Sequence, residues 1–330
     1  MRKILILGSN SYSGNYLSDY LLNRKFKVVG VSLSNESPDK FNKISTTTKK
    51  LKQNFFFYKV DINKNFNLLK KIISTHNPEI IIDFLGQGMV AESWEYPELT
   101  FNTNVISKIK LYEFLKNKKF LKKYIKISTP EVFGSSKIKS SKFENYNPST
   151  PYALSHMVME KYLNLMKKQY SFPIILSRFA NFYGPYQKLY RIIPLAIHKA
   201  HNKEKFLLHG GGLSKRSFIY SEDFCNGILK MIKSGMPGDI YQFSSKEYVS
   251  IKEVVEYIYK KHGLNPKEYI KKVSDRPGKD LDYKINDNDT RKKLKWKNYH
   301  TLKNGIEETI NWYKSYHKMF NKKDEKFRIK

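Results

Sequence analysis

Ile4-Leu5-Ile6-Leu7-Gly8-Ser9-Asn10-Ser11-Tyr12-Ser13-Gly14 is an unbroken apolar run that passes into small residues and then into a helical pattern. Four apolar residues in succession suit a strand covered on both faces. The small residues Gly8, Ser11, Ser13 and Gly14 suit a tight turn from which a helix starts, and Tyr12 stands among them. Such a turn lets a pyrophosphate approach the backbone, where the free N–H groups and the dipole of a helix N-terminus favour an anion. The middle glycine of the usual three is replaced by Ser11. A glycine-containing turn is equally compatible with a plain connection, so the choice passes to the residues that follow.

Outward from this turn, short apolar runs alternate with amphipathic stretches. The runs at Lys3–Leu7, Lys27–Val31, Phe55–Val60, Ile80–Phe84, Tyr124–Ser128 and Ile174–Arg178 predict strands, and Asn15–Asn23, Asn65–Thr75, Pro97–Lys116 and Tyr152–Gln169 predict helices. That alternation predicts an α/β fold, a doubly wound parallel sheet with helices on both faces. Residues 34–53 are polar and without period, and they read as a surface loop. After Phe179, Gly and Pro pairs punctuate shorter elements, which predicts a smaller α/β lobe from about 179–216 and 246–320. The first domain then takes 1–178 and about 217–245, and 321–330 reads as a frayed tail.

The chain has 330 residues with 61 Lys+Arg against 30 Asp+Glu, a formal charge of +31. That raises the question of a polyanion partner. Nearly all the cations are lysines spread along the whole length, which reads as diffuse surface charge rather than a nucleic-acid footprint. One cysteine, Cys225, forms no intrachain disulfide and agrees with a cytoplasmic location. The absence of a long apolar run argues against a membrane span, and Cys225 has no ligand-spaced His or Cys, so no metal site is expected.

Two further stretches carry the chemistry: Ser128-Thr129-Pro130-Glu131-Val132-Phe133-Gly134 at a strand end, and Pro151-Tyr152-Ala153-Leu154-Ser155-His156 at a helix start. Here the chain resembles the extended short-chain dehydrogenases/reductases, in particular their nucleotide-sugar epimerases and dehydratases such as the dTDP-glucose and GDP-mannose 4,6-dehydratases. Asn104, the run 181–187, Arg191-Ile192-Ile193-Pro194, Arg216-Ser217-Phe218-Ile219 and Arg276-Pro277-Gly278-Lys279-Asp280 match in the same order. The resemblance covers essentially the whole chain and implies a Rossmann-type fold with a tightly held nicotinamide cofactor.

In such enzymes a tyrosine, here Tyr152, takes the proton of the sugar C4 hydroxyl, and Thr129 bonds the same oxygen. A phenol with a pKa of about 10 is a poor base at neutral pH. The family therefore carries a lysine one helical turn later, and here that position holds His156. An imidazole is mostly neutral at pH 7 and is no permanent cation. In the dehydratases a glutamate, here Glu131, removes the C5 proton, and an acid protonates the departing C6 hydroxyl. That second position is Pro130, which has no proton to give. Either Glu131 shuttles the proton itself, or the enzyme stops at C4/C5 epimerisation or C4 oxidation.

The resemblance further implies cofactor contacts from Gly8, Ser11, Tyr12, Ser13 and Gly14, from Asp61 and Ile62, from Leu85 and Gln87, and from Asn104, Tyr152 and His156. Ser32 stands where an acid would bind the adenosine ribose. NAD is the expected cofactor, with NADP left open. Arg216 and Arg276 match the residues that hold the diphosphate of a nucleotide sugar, a task suited to a guanidinium fork. Asn181, Gln187, Arg191 and Met89 are the remaining substrate-side candidates. A homodimer built on the helices holding Lys108 and Tyr162 is implied as well. A Rossmann protein without catalysis, binding RNA through its lysines, is the distant alternative, and the retained Thr129, Glu131 and Tyr152 argue against it.

Overall fold

In the computed structural model, residues 2–135, 145–274 and 284–327 are described. Strand β1 (Lys3–Leu7) is buried from Ile4 onward, and it stops at Gly8, whose φ of +81° is one that side-chain-bearing residues rarely adopt. Helix α1 (Tyr12–Leu22) follows at once. Strands β2 (Lys27–Ser32), β3 (Phe55–Lys59), β4 (Ile80–Asp83), β5 (Lys123–Ser128) and β6 (Ile174–Phe179) join β1, and an edge strand at Ile240–Phe243 completes seven. From that edge the order is Ile240–Phe243, β6, β5, β4, β1, β2, β3, with every pair parallel. The chain order reverses between β1 and β4, the place where an open α/β sheet leaves a crevice at its strand ends.

Two apolar layers cover the sheet. One includes Leu5, Leu7, Val29 and Val31 with Leu69, Ile73, Leu111 and Leu163, and the other includes Ile4, Ile6 and Val28 with Leu17, Leu21 and Ile228. The alternation of Leu5 with Ile4 and Ile6 between layers is the period-two geometry of a strand. Helix Ser221–Ser234 and the strand after it return the chain to the large sheet. A smaller lobe carries two-stranded pairs: Asn181–Tyr183 with Phe218–Tyr220, Lys215–Arg216 with Val249–Ser250, and Phe206–His209 with Ile270–Val273. Helices Ile192–His201, Ile251–Lys261 and Leu302–Tyr316 pack there. No helix among the described residues is long and apolar enough to cross a membrane.

Three elements differ from the sequence reading. Residues 34–53 are no plain surface loop: they form short helical turns at Asp39–Phe41, Lys43–Thr46 and Lys49–Lys52, with Phe41, Asn42, Ile44 and Thr47 buried. Their polar side chains satisfy a polar face of α1, Asn15 bonding Asn42 at 2.8 Å and Thr47 bonding Asp19 at 2.6 Å. An interface made of amides and hydroxyls leaves no hydrophobic period to read. The predicted helix at 97–116 is interrupted by a π-helical segment at Asn102–Ile106. The closing residues are held rather than loose through Phe327: Lys40 pairs with Asp324 at 2.6 Å, and Phe327 packs on Tyr190.

Candidate active site

The glycine turn is closed by its own serine. Ser11 Oγ donates to the Gly8 carbonyl at 2.6 Å and accepts from Gly14 N at 3.1 Å, capping α1. A Cβ on Gly14 would run into the Gly8 carbonyl, and one on Gly8 would lie 3.1 Å from Leu85 N, so both glycines are set by close backbone approach. Buried Ser9 Oγ has no hydrogen-bond partner among the described residues. An unspent hydroxyl and a turn stripped of side chains, beside a helix N-terminus at the sheet's reversal point, fit a dinucleotide pyrophosphate. The N–H groups of Tyr12 and Ser13, ahead of the first intrahelical bond, are the donors such a group would meet.

The remaining cofactor-side residues are placed unevenly. The Tyr12 ring stacks on Phe182 and its hydroxyl bonds Ser221, which leaves its backbone to serve the turn. Ser32 closes β2 and is buried. Asn10 ties the turn after β1 to the segment after β2, donating to Ser34 Oγ at 2.9 Å and accepting from Ser37 N at 2.9 Å. Asp61 caps its own loop through Asn63 N, and Ile62 is buried in the core. Leu85 packs half-buried at the end of β4. Asn104, in the π-helical segment, accepts from Gln87 N at 2.8 Å and donates to Gln87 O at 3.1 Å and Ser155 Oγ at 3.0 Å. Its amide therefore ties the strand-end loop to the helix of Tyr152.

That helix, Pro151–Tyr170, is capped by Thr150 and begins with proline, both favourable at a helix start. Tyr152 N donates to Ser93 Oγ at 3.2 Å, and Ser155 Oγ to the Tyr152 carbonyl at 2.7 Å. Thr129, near the Tyr152 hydroxyl, and Glu131, at the start of a turn capped by Thr129, both act on the phenol. Burial and Glu131 push the Tyr152 pKa up, against Thr129 and Arg191, which lower it. His156 follows one turn on, its ring 4.7 Å from the Tyr152 ring between centroids and its Nδ1 3.3 Å from Ser128 Oγ. Burial, then the nearby Lys126 ammonium, push its pKa down to about 3, so the imidazole is neutral at physiological pH.

Thr129, Glu131, Tyr152 and His156 thus come together at the strand ends. Arg191 joins them from the smaller lobe, where it immediately precedes helix Ile192–His201 and acts on Tyr152. Gln187 bonds the Phe182 carbonyl at 3.0 Å and holds its own turn. Asn181 and Arg216 lie on the lobe's short strands, Arg216 bonding the Lys215 carbonyl at 2.7 Å. Met89 is half-buried at the head of helix Val90–Glu95, and Arg276 lies outside the described residues. No group of three His, Cys, Asp or Glu among the described residues is placed to hold a metal.

Sequence reasoning missed a buried charge cluster behind this site. Asp83 at the end of β4 meets Lys108 at 2.5 Å, Lys126 at 3.3 Å and the Tyr124 hydroxyl at 2.8 Å. Lys108, on one of the two helices from which the resemblance implies a homodimer, is fully buried against this carboxylate. Burial alone would raise the Asp83 pKa, but the two ammonium groups outweigh it and bring it to about 2. Burial takes Lys108 down to about 8 despite Asp83. No local motif announces the cluster, because its members are separated by 25 and 18 positions in sequence.

A doubly wound sheet with a glycine turn at its reversal point, and a tyrosine, threonine and glutamate gathered beside it, defines an extended short-chain dehydrogenase/reductase. The chain belongs to the GDP-mannose 4,6 dehydratase family, whose model matches residues 5–309. It is 31% identical over 275 residues to a dTDP-D-glucose 4,6-dehydratase of Homo sapiens, covering 80% of this chain and 76% of that one. A dTDP-glucose 4,6-dehydratase from Bacillus anthracis, solved in complex with NAD, superposes with a TM-score of 0.85 at 28% identity, over 96% of this chain and 98% of that one. A Streptomyces venezuelae dTDP-glucose 4,6-dehydratase has the same fold, with a TM-score of 0.86 at 22% identity and coverage of 96% and 98%.

Proposed function

We propose that the protein is an NAD-dependent nucleotide-sugar 4,6-dehydratase that uses Tyr152 and Thr129 at the sugar C4 oxygen and Glu131 at C5. The observation that carries this reading is the convergence of those three side chains, with Glu131 and Thr129 both acting on the Tyr152 phenol. The relatives at 31% and 28% identity, the latter crystallised with NAD, support the same assignment. Gly8 and Gly14 would hold the dinucleotide, which when bound accepts the C4 hydride and returns it within one turnover. Tyr152 takes the C4 hydroxyl proton. The ketone then acidifies C5, Glu131 removes that proton, and the C6 hydroxyl departs as water. Pro130 carries no proton, so Glu131 hands its own to the leaving oxygen, and a solvent-derived proton is delivered to C5 as C6 is reduced. Arg216 and Arg191, with Arg276, serve the diphosphate and sugar. A homodimer and a cytoplasmic location belong to the same reading.

The test is a nucleoside-diphosphate hexose deuterated at C4, offered to the protein with NAD. Dehydration moves the label to C6 of a 4-keto-6-deoxy product. Label remaining at C4 of an epimer, or lost to released cofactor, would identify the epimerase or C4 dehydrogenase that Pro130 suggests.

A further inference from the structure

The cluster behind the site has an imbalance. One carboxylate, Asp83, faces two ammonium groups, and all three side chains are nearly withdrawn from solvent, with 0% exposure for Asp83 and Lys108 and 5% for Lys126. Lys108 takes the short contact at 2.5 Å, and Lys126 has only the longer one at 3.3 Å. Asp83 also accepts from Tyr124 and from Leu85 N at 3.0 Å, so its oxygens are well occupied. Among the described residues Lys126 Nζ, with three N–H groups, has this single acceptor. A buried ammonium so weakly partnered leaves a local positive surplus.

Its position gives the surplus a target. Lys126 and Ser128 are two apart on β5 and share a face of the sheet. Ser128 bonds His156 Nδ1 at 3.3 Å, and of the charged groups around that ring Lys126 acts most strongly. Ser128 from β5 and Tyr152 from its own helix touch the imidazole, and Lys126 from β5, Asp83 from β4 and Lys108 from helix Ser107–Leu115 act on it electrostatically. A helix-borne cation at position 156 would add a third ammonium to a cluster with one carboxylate.

We propose that Lys126 is the resident cation on the His156 side of the active site, a positioning residue whose charge comes from strand β5 and acts through the ring of His156. Arg191 is the cation that acts on the Tyr152 phenol itself, from the smaller lobe. Lys108 holds Asp83, which frees Lys126 from full neutralisation. His156 stays uncharged and relays position, bonded to Ser128 on one side and packed on Tyr152 on the other. This inference rests on Tyr152 being the proton-transfer group.

The test is a charge exchange, K126M and H156K singly and together, with K126R as the conservative control. In apo protein carrying isotope-labelled histidine, the His156 ring should stay neutral to pH 5 in the wild type and in K126R. In K126M its titration should move up by at least one pH unit. This readout needs no turnover, so it separates the inference from the dehydratase reading. In turnover, K126M should lose at least tenfold in kcat, with the pH profile displaced and K126R largely restored. H156K should also lose at least tenfold, and H156K/K126M should exceed both single variants. H156K exceeding the wild type would overturn the proposal whether or not K126M folds. So would an unmoved His156 titration in K126M, or a double variant no better than H156K.

Discussion

At the scale of single residues, the proposed chemistry at C5 depends on one carboxylate. Glu131 sits two positions past Thr129, its N–H bonded to Thr129 Oγ1 at 3.2 Å, so the oxygen proposed to hold the substrate's C4 group also fixes the backbone of the proposed C5 base. Glu131→Gln keeps the size and cannot accept a proton. The variant should still reduce its cofactor on mixing with a nucleotide sugar, and it should then stall with at least a hundredfold loss in turnover. In deuterated water the wild-type product should carry deuterium at C5, and NMR of the product checks it. Normal turnover by the variant, or a C5 without label, would rule out Glu131 as the base. These residues were legible because Thr129 and Glu131 lie in one local stretch and Tyr152 heads one helix. Ser93, Ser155 and Lys126 were not, since only the fold carries them to Tyr152 and His156. Asn104 was legible as a position and not as a role: its amide is spent on Gln87 and Ser155.

At the scale of elements, the β1–α1 turn combines rigidity with an open face. A side chain at Gly14 would strike the Gly8 carbonyl, so Gly14→Val must push α1 away from β1. Calorimetry should show at least a hundredfold loss of NAD affinity, while Ser13→Ala, which adds no bulk, should bind within a few fold of the wild type. Unchanged affinity in Gly14→Val would remove the dinucleotide from this turn. The strands of the sheet were readable because their apolar runs are nearly continuous, and even edge strand β3, with Phe56 exposed, keeps an aromatic run. Residues 34–53 were unreadable for the opposite reason. They are held by Asn15 and Asp19 of α1 and by Asp324, which pairs with Lys40, and hydrogen bonds between polar side chains leave no periodic trace in a sequence.

At the scale of the whole molecule, a formal charge of +31 is carried with several histidines that folding keeps neutral. His76, His156, His198 and His201 all have lowered pKa values, burial being the first cause for each and neighbouring cations adding to it. Carboxylates oppose the shift at two of the four, Asp83 at His156 and Glu325 with Glu204 at His198. A group whose folded pKa is lowered binds its proton more readily in the unfolded chain. Stability is therefore full above the unfolded value near 6.5 and is lost as pH falls toward the folded value. For His156, at about 3 in the folded protein, the window runs from about 6.5 down to 3, and the loss by pH 5 is at most about 2 kcal/mol. Every proton taken up also adds to an already large positive charge, so self-repulsion works in the same direction. Urea unfolding at constant ionic strength should give lower stability at pH 5 than at pH 7, and His156→Gln should lose less over that interval than the wild type. Equal losses in both proteins would show that His156 takes up its proton without cost, and that the ring stands in water rather than against Lys126.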